Sequence, residues 1–188
     1  MNGKNDFSDD EQDDRECREN QHECVDLCCP AHPKNDGVSD SHDHGVWLER
    51  YLQLCKKERY DAIFHLGDYD SDARWLERRL ESPVIAVAGN CDMFSELPRM
   101  ARAAFGPHRL LAVHGHLQDV KYGYDRLSYF AESHQATIAL FGHTHRPCVE
   151  RVGSVLLINP GALMDGRYAE LTLDGDRAVP RLKSFKMQ

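Results

Sequence analysis

Long apolar runs are missing from this chain. In 188 residues none approaches the roughly 18 that a membrane-crossing helix needs, so no membrane partner is expected. Excess basic charge is missing too. The 23 Lys and Arg stand against 31 Asp and Glu, a net charge of −8. Stable nucleic-acid binding, which draws on a basic face, is therefore not expected. No internal repeat is present, which excludes stacked-repeat architectures. The seven cysteines are an odd number, unlike a secreted disulfide framework. The opening residues lack the basic and apolar regions of a secretory signal. Together these absences predict a cytoplasmic protein with free thiols.

The acidity is unevenly spread. Residues 1–36 hold eleven acids and four bases, a charge of −7, and four of the seven cysteines. The other 152 residues are nearly neutral. The division expected is an acidic, disordered leader over residues 1–36 and one domain over residues 37–188. The leader's Cys17, His22, Cys24, Cys28, Cys29 and His32 could form a zinc module, but lack the tight pair-loop-pair spacing of a structural site.

Beyond the leader, strand and helix signals alternate. Trp47, Leu48, Tyr51, Leu52 and Cys55 at helical spacing predict a helix over residues 46–57. Trp75, Leu76 and Leu80 predict another over 70–80, and residues 125–135 a third. The apolar runs at 61–66, 83–88 and 137–141 read as buried strands. Gly106-Pro107 marks a hairpin between 100–105 and 109–114. Short strands follow near 148–152, 155–158, 168–173 and 178–185. The order predicts an α/β fold with mixed sheets.

One pattern recurs. Apolar strands end in small residues, and ligand-type residues follow at once. Leu66 leads to Gly67-Asp68, Ala88 to Gly89-Asn90, Val113 to His114-Gly115-His116, and Phe141 to Gly142-His143-Thr144-His145; Asp40-Ser41-His42 completes the set. Open α/β sheets build sites where strands end. Taken singly, a Gly-Asp after a strand is usually a turn. Five such endings in one chain are not. Asp40 and Asp68 offer carboxylates, His42, His114, His143 and His145 imidazoles, and Asn90 a carbonyl oxygen. This mixed N/O set suits Mn²⁺, Fe, Ni²⁺ or Zn²⁺ better than Ca²⁺ or a thiolate site.

With the blocks SDSH, HLGDY, AGNCD, VHGH, FGHTHRP and INPGAL, the chain resembles the calcineurin-like metallophosphoesterase superfamily, and within it the small single-domain phosphodiesterases of bacteria and archaea. The resemblance implies two stacked mixed β-sheets flanked by helices. It implies two divalent cations, Mn²⁺ foremost. Asp40, His42, Asp68 and His145 would hold the first, and Asp68, Asn90, His114 and His143 the second, with Asp68 bridging. A hydroxide between the cations would attack a small phosphate-ester substrate. Asn90, Asp92 and His116 would act beside the metals, Asp92 by orienting and His116 by touching substrate. Cys91 stands where many superfamily phosphatases have a catalytic His. The alternative is a catalytically weak scaffold resembling the retromer scaffold subunit, in which the Gly-Asp and Gly-Asn positions kept here are altered.

The family's first buried strand has no apolar counterpart. The run-up to Asp40 contains Pro30, Pro33 and charged residues. Proline is confined to strand edges, so no central strand is expected there: either the Val25–Cys29 region replaces it imperfectly or the first strand is missing.

Overall fold

Continuous apolar runs become the buried parallel strands here, and the 3.6-period segments become the helices that cover them. The computed structural model describes residues 25–26, 32–42 and 45–186. Its strands are β1 (Val25–Asp26), β2 (Lys34–Val38), β3 (Ala62–His65), β4 (Val84–Ala86), β5 (Met100–Phe105), β6 (His108–Val113), β7 (Ile138–Phe141), β8 (Cys148–Val152), β9 (Val155–Asn159), β10 (Arg167–Asp174) and β11 (Arg177–Ser184). The helices are α1 (Val46–Glu58), α2 (Asp70–Glu77) and α3 (Asp125–Ser133).

Two mixed sheets result, ordered β1-β5-β6-β7-β9-β8 and β11-β10-β2-β3-β4. Strands β2, β3 and β4 run parallel in one sheet. Strands β6, β7 and β9 run parallel in the other. Six carboxyl ends therefore deliver their loops toward one edge of the sandwich.

Three apolar clusters hold the layers. Phe64, Leu66, Leu110, Leu140, Ile158 and Leu171 pack between the sheets. Helix α1 lays Leu48, Tyr51, Leu52 and Cys55 on the five-stranded sheet. Helix α3 lays Leu127 and Ala131 on the other. Each fully buried Leu, Ile or Phe stabilises by about 1.5–3 kcal/mol. Among the described residues no helix is long and apolar enough to cross a membrane.

Strand β2 corrects the sequence expectation. It lies centrally, antiparallel to β10 and parallel to β3. Pro33 stands just outside it, and its carbonyl accepts the Leu173 N–H at 2.9 Å, so no ladder bond is lost. The polar side chains find partners in neighbouring layers. Asp36 accepts the Tyr51 hydroxyl at 2.6 Å, and Lys34 pairs with Glu58 at 2.9 Å. The sheets thus take in Val25, Asp26 and residues 34–36 of the segment assigned to the leader. Most of that segment, with its expected disorder and every zinc-module candidate except His32, lies outside the described residues. His32 contacts the Asp174 carboxylate at 3.1 Å.

Satisfaction of β2 is incomplete. Both amide atoms of buried Asn35 lack a hydrogen-bond partner. The residue lines the inter-sheet core with Phe64, Leu140 and Leu171. Removing an unpaired buried amide avoids a desolvation cost of about 1–3 kcal/mol, and valine favours strands. Asn35→Val is expected to stabilise the fold by about that amount, read from the urea midpoint; a lower midpoint would contradict this packing.

Asp36 gives a pH signature. Burial, its largest cause, pushes the carboxyl well above the usual carboxylate range, with nearby Glu170 adding to the rise against the Tyr51 hydrogen bond. The folded state then keeps a proton that the unfolded chain releases, so stability falls as pH rises above about 4. Asp36→Asn is expected to gain stability over the parent progressively from pH 4 to pH 8. A gain independent of pH would show that Asp36 does not carry this cost.

Candidate metal centre

Every strand-end motif reaches the same edge. Strand β2 feeds Asp40 and His42, β3 feeds Asp68, β4 feeds Asn90, β6 feeds His114 and His116, and β7 feeds His143 and His145. The loops are tied together across strands. The Asp40 N–H donates to the Gly67 carbonyl at 3.1 Å, and the Gly142 N–H to that of His114 at 3.0 Å.

Five of these residues sit in left-handed backbone conformation: Asp40 (φ 53), His42 (φ 46), Asp68 (φ 58), His143 (φ 66) and His145 (φ 57). Such conformations are uncommon outside glycine and cluster at functional sites. Crowding explains two of the glycines. A Cβ on Gly67 would come within 2.7 Å of the Gly89 nitrogen, and a Cβ on Gly89 would overlap the Asp68 carboxylate.

Two groups of ligand atoms emerge, each within 4.8 Å of one another. One is Asp40, His42 and His145; the other is Asp40, Asp68 and His114. The carboxylate common to both is Asp40, whereas the resemblance had given the shared place to Asp68. His143 stands beside the second group, its ring 5.0 Å from that of His114. Asn90 is there too, its Oδ1 3.1 Å from His114 Nε2.

The donor chemistry fits a cation. His114 Nδ1 lies 2.6 Å from the Leu66 carbonyl. A carbonyl only accepts, so Nδ1 carries a proton and Nε2 is the nitrogen turned to the site. Facing Nε2 are the Asn90 oxygen, Asp68 Oδ1 at 3.5 Å and Asp40 Oδ1 at 4.0 Å. Asp40 Oδ1 is buried without a hydrogen-bond partner and lies 3.2 Å from His145 Nε2. Its other oxygen is occupied by the Ser39 hydroxyl at 2.6 Å and the His143 N–H at 3.2 Å.

Protonation states agree. Burial alone would raise the Asp68 carboxyl, but nearby His114 and the donors of Cys91 outweigh it and hold it low. Burial and then His114 push His143 down to about 4. Cys91 is pushed up to about 11, first by burial and then by its bond to Asp68. At neutral pH these are a carboxylate, a neutral imidazole and a thiol.

Asp92 takes no place facing the ligands. Its Oδ1 accepts the Tyr69 and Asp70 N–H groups at 2.8 and 2.9 Å, and its Oδ2 that of Gly89 at 2.8 Å. It clasps the Asp68 loop to the Asn90 loop. His116 does border the site, its ring 5.3 Å from His114 and 6.1 Å from His143.

Three supporting residues went unread in the sequence. Buried Asn159 donates to the Gly142 carbonyl at 2.9 Å and the Thr144 hydroxyl at 3.1 Å. Its signal was the Asn-Pro-Gly at the end of β9. Arg99 donates to the Gly89 carbonyl at 2.7 Å, with no local sequence signal. Ser39 was visible only as the residue before Asp40.

The family model described as the calcineurin-like phosphoesterase superfamily domain matches residues 37–173. The probable metallophosphoesterase YsnB of Bacillus subtilis is 34% identical over 153 residues, which are 77% of this chain and 86% of YsnB. Phosphodiesterase YfcE of Escherichia coli is 34% identical over 148 residues, 67% of this chain and 77% of YfcE. In solved structures, Vacuolar Protein Sorting 29 from Cryptosporidium parvum shares the fold, with a TM-score of 0.69 at 15% identity over 84% of this chain and 93% of that one.

Metal binding has a direct readout. Mn²⁺ at 100 times its dissociation constant is expected to stabilise the fold by about 2.7 kcal/mol, seen as a rise in the thermal midpoint. Asp40→Asn should remove most of that rise. A chelator-treated sample whose midpoint ignores Mn²⁺, Ni²⁺ and Zn²⁺ alike would count against this centre.

Proposed function

Because the chain belongs to the calcineurin-like phosphoesterase superfamily, we propose that it is a metal-dependent phosphodiesterase acting on small phosphate esters at a dinuclear site. The observation that supports this most is the buried Asp40 carboxylate shared by two ligand groups. Asp40, His42 and His145 would hold one cation, and Asp40, Asp68, Asn90, His114 and His143 the other, with Mn²⁺ the leading candidate among Mn²⁺, Ni²⁺, Fe and Zn²⁺. Bound divalent cations supply Lewis-acid charge against the phosphate oxygens and activate water.

The chain's own residues position and protonate. The Leu66 carbonyl fixes the His114 tautomer, and the Asp92 clasp keeps the Asp68 and Asn90 loops in register. The Cys91 thiol points its Sγ to Asp68 Oδ2 at 3.3 Å and stays protonated, so it is a donor to that carboxylate and not a nucleophile. Burial, then His114, lowers the pKa of His116, leaving a neutral imidazole that is a poor acid at neutral pH. Esters whose alcohol departs without a strong acid are favoured. The scaffold alternative draws on the shared fold and on 25% sequence identity over 141 residues to a Vps29 protein, and the ligand set argues for chemistry.

Hydrolysis of bis-p-nitrophenyl phosphate and p-nitrophenyl phosphate with Mn²⁺, Ni²⁺ or chelator tests the proposal. Metal-stimulated turnover is expected, faster on the diester. Asp68→Asn and His143→Ala should each lower it by about a hundredfold or more with unchanged circular dichroism. No metal-stimulated turnover in a folded sample, or full rate in Asp68→Asn, would overturn it.

A further inference from the structure

Beside the ligands opens a cavity of about 390 Å³, whose lining includes Tyr69, Asp70, Cys91, Met93, Phe94 and Ser95. It adjoins the candidate centre through Tyr69 and Cys91. Tyr69 follows Asp68 in the chain, and its ring stands 5.3 Å from that of His42. Cys91 follows Asn90 and bonds Asp68 through its thiol. The far wall is apolar and bare: Phe94 is 96% exposed, Met93 74% and Tyr69 38%. Large side chains left in water beside a polar centre mark an interaction site.

Two further observations define the occupant. Tyr69 holds its bulky side chain at φ 76, a left-handed conformation that costs on the order of 1–3 kcal/mol and clusters at ligand clamps. The Asp92 carboxylate, accepting the Tyr69 N–H at 2.8 Å, keeps it there. Asp70 in the lining is held by the Ser95 hydroxyl at 2.9 Å and paired with Arg74 at 3.6 Å. None of the lining residues is a lysine or arginine that would draw in a second phosphate. An uncharged ring would stack on the aromatic wall.

Resting on the phosphodiesterase reading, we infer that this cavity selects diesters carrying an uncharged aromatic group, an aryl or nucleobase-bearing ester, which stacks between Tyr69 and Phe94 over Met93 while the phosphate meets the metal ligands. Phe94 and Met93 are specificity-determining and touch no reacting atom.

The test uses the full chain loaded with Mn²⁺ and two substrates with the same leaving group, bis-p-nitrophenyl phosphate and methyl p-nitrophenyl phosphate. The ratio of their kcat/KM values is expected to favour the bis-aryl ester and to fall about tenfold in Met93→Ala/Phe94→Ala, while Phe94→Trp keeps it. A ratio unchanged in the double variant overturns the inference. If neither ester is hydrolysed, the phosphodiesterase reading fails separately, and Phe94→Trp emission then decides. A change with diphenyl phosphate and not with dimethyl phosphate supports the aromatic site, and no change with either overturns it.

Discussion

Two buried carboxylates face each other at the edge of the sandwich, and most of the local structure follows from holding them there. Ligand oxygens of Asp40 and Asp68 lie within 4.8 Å, with the His114 imidazole in the same group. Two like charges at that separation repel by about 3–4 kcal/mol at an effective dielectric constant near 20. Hydrogen bonding offsets part of this. Asp68 takes the Cys91 N–H and S–H, and Asp40 takes Ser39 and the His143 N–H on one oxygen. The other Asp40 oxygen has no donor. A divalent cation supplies what these donors do not, and that requirement explains why carboxylates, imidazoles and an amide oxygen converge here.

Convergence has a backbone cost. Asp40, His42, Asp68, Tyr69, His143 and His145 all hold positive φ, each against an ordinary preference worth on the order of 1 kcal/mol or more. The cost is met by groups that do no chemistry. Asp92 collects three backbone N–H groups from two loops. Asn159 fastens the loop after β7, and Arg99 fastens Gly89. The close approach of Gly89 to Asp68 leaves no room for a side chain. Removing any one of these ties would loosen a ligand without touching it.

Much of this was legible in the residues. The apolar runs before Gly67, Gly89 and Gly142 and the helical spacing of Leu48, Tyr51, Leu52 and Cys55 reflect burial, which hydrophobic patterning reports directly. So do the ligand types placed at strand ends. What patterning cannot report is a partner from another layer. Strand β2 was unreadable because its charged residues Asp36 and Lys34 meet Tyr51 and Glu58 on α1, and because Pro33 sits one residue outside the ladder. The same blindness hid Arg99, whose acceptor is the Gly89 carbonyl ten positions earlier. The place of Asp40 in both ligand groups was equally hidden, since carboxylate geometry depends on two sheets meeting.

Strand β2 also connects stability to the centre. It carries Asn35 with no partner for its amide, and Asp36 raised by burial, directly before the segment that presents Asp40 and His42. An apolar strand would be more stable there. The polar strand is therefore held by its neighbours, through ladders to β3 and β10 and through the Leu163 N–H bonded to the Ser39 carbonyl at 2.8 Å. A cation bound by Asp40, Asp68 and His114 would join the loop after β2 to those after β3 and β6, adding free energy only to the folded state. Metal affinity and the order of β2 are thus two sides of one equilibrium. Strengthening either strengthens the other, and the strand that carries these buried polar groups is the one that the metal would hold most directly.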